Sequence, residues 1–406
     1  MRQAARTAFV VIGYMLTAIG TSGCAGSEHR SDTSLPALTI ESVATPAPPE
    51  SGSVQLMSAA SRTMLSWIER AGDRQTLKFS ERKDSRWSDA QVVVVGERLM
   101  VNSADFPSVS ALANGLLVAQ WLEENGPNPE AYDLRVSVSS DGGQTWTAAT
   151  SPHHDGTPSQ HGFASVFELP ARGFGLLWLD GRNAVGGLLG DVALRAAEYN
   201  YAGQQLSETV VDDRVCECCQ SAAAPTTTGI VAAYRDRSPD EIRDISIVRR
   251  DDSAWLAPTR LHDDGWKIHG CPVNGPAIDA RGADVVVTWF AVLDEVGHVF
   301  AAFSADSGQH FGELIRIDDA ASAGRPQAVL LDDGTAVVSW SESVVGAQTF
   351  RARRVNAKGQ RGPSVTVAGH AGRESLRMAR GQGELLFGWV ERDAGVTRLQ
   401  MARVPL

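Results

Sequence analysis

Short apolar runs that end in an aromatic residue recur at nearly even intervals along the chain. They end at Trp67, Trp121, Trp178, Tyr234, Trp289, Trp340 and Trp389, which are 49 to 57 residues apart. Each unit contains four short β-rich runs separated by Gly, Asp, Asn or Ser turns, as in PSVSALA, LLVAQWL, YDLRVSVS and TWTAAT of the second unit. Four antiparallel strands per repeat of about 50 residues predict an all-β chain folded as a β-propeller of four-stranded blades.

The last unit, residues 374–406, has room for only three strands. The segment LPALTIESV, residues 35–43, resembles an outer strand without a blade of its own. If it pairs with the last unit, the ring closes without an exposed sheet edge. We therefore predict seven blades over residues 54–406, closed by an N-terminal strand, and the alternative is six blades with a terminal appendage.

Two segments, SSDGGQTW (139–146) and SADSGQHF (304–311), fit the pattern S-x-D-x-G-x-x-aromatic. The aspartates can accept backbone N–H bonds, the glycines suit positive φ, and the aromatic residues can pack between sheets. The segments resemble the Asp-box, or BNR repeat, of the sialidase superfamily, and the chain resembles bacterial sialidase-like lipoproteins. The resemblance implies a propeller and, because Asp-boxes are structural in that family, no particular chemistry. The residues concerned are Ser139, Asp141, Gly143, Trp146, Ser304, Asp306, Gly308 and Phe311.

The N-terminus reads as an export signal. Arg2 and Arg6 precede an apolar run over residues 7–19, which is short for a membrane span. The segment TSGCAG resembles the lipobox of bacterial lipoproteins, which implies a signal peptide over 1–23 and acylation of Cys24. Residues 24–53 then form a Ser/Thr/Pro-rich tether that includes the possible closing strand. The expected location is the bacterial cell envelope, lipid-anchored and facing the periplasm; the alternative is ordinary cleavage and a soluble periplasmic or secreted product.

Composition narrows the possible partners. A net charge of -11 disfavours a surface for phosphate backbones, so nucleic acid is not an expected partner. We expect a monomer that meets the membrane through its lipid anchor alone and carries no cofactor.

Strand order predicts the face that carries the function. In a four-stranded meander, the connections between blades and the loops between second and third strands share one face, and most unusual residues of this chain fall there. Residues just before each innermost strand should form an inner ring, and charged loop residues a wall around it that could hold an anionic group. The ring is Asp105, His161, Gln220, Asn274, Arg325 and Glu374, and the other predicted ligand-binding residues are Arg182, Arg235, Asp236, Arg237, Arg243, Asp244 and Lys267, with Asp180 in the same wall.

Each of these assignments has a structural alternative. The loop YRDRSPDEIRDI (234–245) can satisfy its own charges through salt bridges. Asp105 and Asp180 can cap turns, and His161 can be a hydrogen-bonded core histidine. His153, His154 and Asp155 are metal-like in composition, but we predict no metal site there.

The family's catalytic pattern is incomplete in this chain. Active sialidases have an early F/Y-R-I-P motif and a late Tyr nucleophile, whereas this sequence lacks that motif and has no tyrosine after Tyr234. No catalytic residue can therefore be assigned from the resemblance. We favour a propeller that binds a carbohydrate or another envelope component. The alternative is a glycoside hydrolase with Asp155 or Asp180 as acid and Asp105 as base or nucleophile.

The remaining chemistry is in the cysteines of CECCQ (216–220) and Cys271. Without Cys24 the count is four, and an even count in an exported protein favours disulfides. We predict a bridge from Cys218 or Cys219 to Cys271, with the other two, one of them Cys216, able to pair. The alternatives are a Cu(I) or Zn site formed with His161 or His269, which would make soft-metal binding the function, and a vicinal disulfide.

Overall fold

The computed structural model describes residues 35–59, 61–101, 104–128, 131–184, 190–251, 254–344, 347–369, 373–393 and 395–406. The predicted signal peptide and Cys24 lie outside these ranges. Within them the chain forms 29 strands in seven antiparallel sheets, which are the blades of a seven-bladed β-propeller. This confirms the predicted fold and excludes the six-bladed alternative. None of the described segments is a helix long and apolar enough to cross a membrane.

The strands follow the chain blade by blade, after β1 (Glu41–Val43). Blade 1 contains β2 (Ser51–Ala59), β3 (Arg62–Ala71), β4 (Arg74–Lys83), β5 (Arg86–Trp87) and β6 (Gln91–Gly96), and blade 2 contains β7 (Ser108–Ala111), β8 (Leu117–Glu124) and β9 (Tyr132–Ser139). Blade 3 contains β10 (His161–Leu169), β11 (Gly173–Asp180), β12 (Val192–Tyr199) and β13 (Gln205–Val215). Blade 4 contains β14 (Ala222–Thr226), β15 (Gly229–Arg235), β16 (Ile245–Asp251), β17 (Ala254–Trp255) and β18 (Thr259–Arg260).

The last three blades have the same meander. Blade 5 contains β19 (Ala277–Arg281), β20 (Asp284–Leu293), β21 (Val296–Ser304) and β22 (Ile315–Arg316). Blade 6 contains β23 (Ser322–Leu330), β24 (Ala336–Val344), β25 (Ala347–Val355) and β26 (Val365–Gly369). Blade 7 contains β27 (Arg373–Gly381), β28 (Glu384–Asp393) and β29 (Val396–Pro405), and β1 is its fourth strand.

The ring closes as predicted, because β1 pairs antiparallel with β29 and places Glu41 opposite Arg403. Leu38, just before β1, is buried in the core shared by blades 6 and 7. Since β2 begins at Ser51, the first strand of blade 1 starts within the segment predicted as a tether.

The recurring aromatic residue lies in the second strand of every blade and is buried there. In four blades the tryptophan indole donates to a carboxylate two residues later, and a Lys or Arg on the third strand lies opposite the tryptophan and pairs with that carboxylate. The indole–carboxylate pairs are Trp67–Glu69, Trp121–Glu123, Trp178–Asp180 and Trp340–Glu342, and the cations are Lys78, Arg135, Arg195 and Arg351. This set satisfies a buried indole N–H, and its W-x-[DE] signature is legible in the sequence.

Bulges at the start of several innermost strands turn particular side chains toward the axis. In blades 1, 3 and 6 the ladder shifts after a glycine that precedes a residue with positive φ, namely Ser53, Phe163 or Arg325. Blade 7 has the same shift between Glu374 and Arg377. The first paired residue after each shift lines the central cavity; these residues are Gln55, Ser165, Gln327 and Arg377.

The turns at 139–146 and 304–311 are held by the hydrogen bonds expected from their residues. In the first, Ser139 Oγ donates to Asp141 Oδ1 at 2.8 Å and accepts from Gly143 N at 2.8 Å, and Gly143 has a φ of 93°. Trp146 packs edge-on against Phe79 of blade 1. The second repeats the pattern with Ser304, Asp306, Gly308 (φ 77°) and Phe311.

Candidate functional site

The innermost strands of all seven blades enclose an axial cavity of about 480 Å³. Its wall is rich in small polar side chains, including Gln55, Ser58, Ser108, Ser110, Ser165, Ser221 and Gln327. The lining extends to the last residues of the innermost strands, such as Ala59, Arg281 and Arg380. The wider part of the channel therefore lies toward the face opposite the predicted one.

A smaller cavity of about 60 Å³ forms a neck on the predicted face. It is lined by residues of the blade-to-blade connections, Phe106 and Cys218 among them, and by Gln220 and Arg325 of the predicted inner ring. Both cavities are lined by Gln220, Pro276, Gln327 and Arg377. These four residues mark the place where the neck meets the channel.

Arg377 is the charged residue of this junction, and the sequence interpretation missed it. Its guanidinium lies 4.0 Å from the centre of the Phe106 ring, and its Nε is buried without a hydrogen-bond acceptor. Burial and the neighbouring charge of Arg325 lower the pKa of Arg377 to about 9, an effect that the Asp105 carboxylate only partly offsets. The charge of Arg377 thus has little compensation within the protein. The sequence carries no signal for this placement, because the bulge before Arg377 contains no glycine.

Asp105 is buried beside this junction, behind the channel wall. One carboxylate oxygen accepts from the backbone N–H of Phe163, and the other has no hydrogen-bond partner. Burial raises the pKa of Asp105 to about 7. A Cβ on Gly162 would lie 2.2 Å from the carboxylate, so glycine is required for this close approach.

Three arginines predicted to hold a ligand are instead engaged within the protein. Arg235 is 1% exposed and donates to the backbone carbonyls of Asn274, Arg243 and Phe290. Arg243 is equally buried and pairs with Glu217 at 2.7 Å and Glu241 at 3.0 Å. Arg237 pairs with Glu241 at 2.8 Å. The structural alternative for the loop 234–245 is therefore correct: its arginines donate to acceptors in their own and neighbouring loops.

Asp180 also differs from its predicted place in a ligand wall. It is buried, accepts from the Trp178 indole at 2.9 Å and pairs with Arg182 at 2.7 Å. It is the blade 3 member of the repeated indole–carboxylate set, so the same position in other blades has the same structural contact. Arg182 in turn pairs with Glu208 at 2.8 Å.

The other predicted wall residues shape loops. Asp244 accepts from the backbone N–H groups of Gly265 and Trp266, and Asp236 accepts from that of Arg237. Lys267 is exposed, with its backbone bridged to Ile242. Asn274 accepts from the backbone N–H of Arg325 at 2.6 Å and so positions this ring residue. The side chain of Glu374 lies outside the described residues.

His161 and Asp155 lie between blades 2 and 3 and line neither cavity. His161 is fully buried, with its ring stacked on His153 at 3.7 Å. Of the predicted inner ring, the structure brings Gln220 to the channel and the neck and Arg325 to the neck. Asp105 and Asn274 lie behind them, and His161 lies elsewhere.

The cysteines connect adjacent blades at the neck. Cys218 and Cys271 form a disulfide, which is one of the two predicted pairings, whereas Cys216 and Cys219 are thiols with their Sγ atoms 3.1 Å apart. The predicted second disulfide, between Cys216 and Cys219, is therefore not formed in the structure. Burial would raise the pKa of Cys216, but its hydrogen bond with Cys219 and the charges of Arg235 and Arg243 bring that pKa down to about 7. Arg243 Nη1, 3.3 Å from Cys216 Sγ, can stabilise a thiolate there.

Comparison with known proteins identifies the fold and no closer relationship. No protein-family model matches the chain, and no curated protein matches its sequence. The polysaccharide lyase Uly1 is similar in structure with a TM-score of 0.51 at 10% identity, covering 89% of this chain and 91% of Uly1. An α-L-arabinofuranosidase from Fusarium graminearum (TM-score 0.48, 13% identity, 74% and 93% covered) and an α-L-arabinanase from Penicillium chrysogenum (0.47, 12%, 92% and 98%) are also similar. These likenesses do not single out the sialidases.

Proposed function

We propose that the protein binds an anionic carbohydrate in its axial channel, with a carboxylate or sulfate of the sugar on Arg377. The observation that carries the proposal is the buried guanidinium at the junction of neck and channel, whose Nε has no acceptor and which forms no ion pair with a described carboxylate. A planar guanidinium binds such anions through paired hydrogen bonds. An anion would also relieve the repulsion between Arg377 and Arg325.

The channel wall supplies contacts for the rest of a sugar. Its serine and glutamine side chains can donate to and accept from sugar hydroxyls, and the Oε1 atom of Gln220 is buried at the junction without a partner. A volume of about 480 Å³ is within the range of small-molecule sites.

Binding is favoured over hydrolysis by the position of the carboxylates. None of the three predicted catalytic residues, Asp105, Asp155 and Asp180, lines either cavity. The channel carboxylates Glu168 and Asp279 both accept backbone N–H bonds, from Ala113 and Leu330 respectively. The described residues therefore offer no carboxylate pair placed freely on both sides of a bound sugar.

Calorimetric titration with oligogalacturonides, sulfated galactan fragments and neutral galacto-oligosaccharides of equal length tests the proposal. We expect the anionic sugars to bind and Arg377→Gln to weaken that binding at least about tenfold, because the substitution removes the charge and the forked donors. Arg86→Gln is the control for loss of one positive charge, because Arg86 is exposed and lines neither cavity. It should bind like the wild type.

Two results would contradict the proposal. One is equal affinity of the wild type and Arg377→Gln for every anionic sugar. The other is release of new reducing or unsaturated ends from the same oligosaccharides, which would establish an enzyme in place of a binding protein.

A further inference from the structure

Two histidines and two aspartates converge between blades 2 and 3, away from the channel. Asp133 lies in β9, His161 begins β10, and His153 and Asp155 lie in the connection between these strands. His161 Nε2 is 3.3 Å from Asp155 Oδ2, and His153 Nε2 is 3.8 Å from Asp133 Oδ1. His153 Nδ1 is 3.5 Å from Asp155 Oδ2.

Three atoms of this cluster are buried without a hydrogen-bond partner: His153 Nε2, His161 Nε2 and Asp155 Oδ2. His153 is 5% exposed and His161 is 0% exposed, so solvent does not satisfy them. The Nδ1 atom of His161 lies 3.1 Å from the carbonyl of Ser159, which can only accept, so Nδ1 carries a proton. When the imidazole is neutral, its Nε2 presents a lone pair toward a carboxylate oxygen, and a cation between the two atoms would remove that repulsion. A backbone carbonyl on the second ring nitrogen is the usual support of a metal-binding histidine.

The surrounding charges leave the cluster negative. Four carboxylates meet only two guanidiniums, which leaves two negative charges when the imidazoles are neutral. The carboxylates are Asp133, Asp155, Asp180 and Glu208, and the guanidiniums are Arg182, 3.5 Å from Asp155 and 2.7 Å from Asp180, and Arg195, 2.7 Å from Glu208. One divalent cation would balance these two negative charges.

We infer that His153, His161, Asp133 and Asp155 form a site for one divalent transition-metal ion of the zinc class. Two imidazole nitrogens with carboxylate oxygens are a donor set that zinc prefers, whereas calcium and magnesium prefer oxygen alone. Donors at 2.0–2.1 Å from a tetrahedral ion are about 3.3 Å apart. The donor atoms of Asp133, His153 and His161 lie within 4.8 Å of one another, and Asp155 Oδ2 is 3.3 Å from His161 Nε2, so the four donors must draw closer around the ion. The stacked rings must tilt apart so that both Nε2 atoms point at the ion.

The site would hold two blades together. Asp133 belongs to blade 2 and His161 to blade 3, and their separate strands would share one ion. Zinc would thus stabilise the folded chain without contacting the channel, which makes this inference independent of the sugar proposal.

The test is zinc uptake by the full-length exported protein after EDTA treatment and removal of the chelator. Native mass spectrometry and competition with a chromophoric chelator should show one zinc ion per chain and a raised Tm, with no comparable effect of Ca²⁺. His153→Asn and His161→Asn should weaken zinc binding at least about a hundredfold. His154→Asn is the matched control, because this neighbouring histidine is exposed.

Two further variants keep the result interpretable. Asp133→Asn changes a half-exposed ligand, so it tests the site if the histidine variants fold poorly. The double variant Cys216→Ser, Cys219→Ser removes the thiols that could also bind zinc. The inference is wrong if the wild type takes up no zinc, if His153→Asn binds zinc as His154→Asn does, or if only the cysteine variant loses zinc.

Discussion

Arginines of this protein differ in role because of what surrounds each guanidinium. Arg235 meets three backbone carbonyls, whereas Arg377 is directed at the channel with a buried Nε that has no acceptor. Sequence position predicts a ligand-binding role for Arg235, at the start of the loop 234–245, and none for Arg377, which lies within β27. The distinction depends on neighbours that are distant in sequence: the carbonyls on Arg235 belong to Asn274 and Phe290, 39 and 55 residues away, as well as to Arg243.

The raised pKa of Asp105 predicts a pH-dependent stability. The folded pKa of about 7 exceeds the ordinary value near 4, so the protonated carboxyl favours the folded state below pH 4 and that stabilisation is lost as the pH rises to about 7. Between pH 5 and pH 8 the wild type should lose about 2–3 kcal/mol through this group. Asp105→Asn should remove this loss. Urea unfolding at both pH values measures it.

The control for this prediction is Asp284→Asn, a substitution at an exposed position. It should leave the wild-type pH dependence unchanged. Equal pH dependence in the wild type and Asp105→Asn would show that the carboxyl is already ionised at pH 5.

At the scale of strands, a closing strand and a set of bulges make the repeated units into a closed ring around a polar channel. The short strand β1 covers the edge of blade 7, which would otherwise present unpaired backbone groups. The bulges in the innermost strands shift the side-chain alternation, so that Gln55, Ser165, Gln327 and Arg377 come to the axis. The closing strand was predictable because it resembles the outer strand of blade 6. The bulges of blades 1, 3 and 6 are marked in the sequence only by a glycine, and the bulge of blade 7 has no such mark.

Removal of the closing strand should destabilise the whole ring. A chain that begins at residue 48 lacks β1 and Leu38, whose burial alone contributes about 2 kcal/mol. We expect a lower urea midpoint and, because β29 becomes an open edge, concentration-dependent association. A chain that begins at residue 35 is the control and should behave like the longer protein. Equal midpoints for the two chains would show that blade 7 is stable with three strands.

Across the whole molecule, the Cys218–Cys271 disulfide ties the connections that lead into blades 4 and 5. It lies at the neck, and Cys218 lines that cavity beside Gln220. The bond therefore joins neighbouring blades at the place where the channel is narrowest. The even cysteine count predicts disulfides, but only the positions of the sulfur atoms show that Cys271 pairs with Cys218 and not with Cys219.

Loss of this disulfide should lower the stability of the whole propeller. Cys271→Ala opens a covalent loop with a sequence separation of 53 residues, which should lower the free energy of unfolding by about 2–4 kcal/mol. Urea unfolding without reductant measures the difference. With reductant, the wild type and Cys271→Ala should unfold at similar urea concentrations. A wild-type midpoint for Cys271→Ala in oxidising conditions would contradict the prediction.

The seven-fold architecture follows from the sequence because its causes are local. Strand alternation, turn residues and the recurring buried aromatic each act within one repeat, and the W-x-[DE] pairs satisfy an indole within two residues. The functional surface, in contrast, depends on contacts between residues that are far apart in the sequence. Bulge registers, carbonyls from neighbouring blades and charges across blade interfaces decide that Arg377 faces the channel while Arg235, Arg243 and Asp180 support the fold. Only the folded ring brings those groups together.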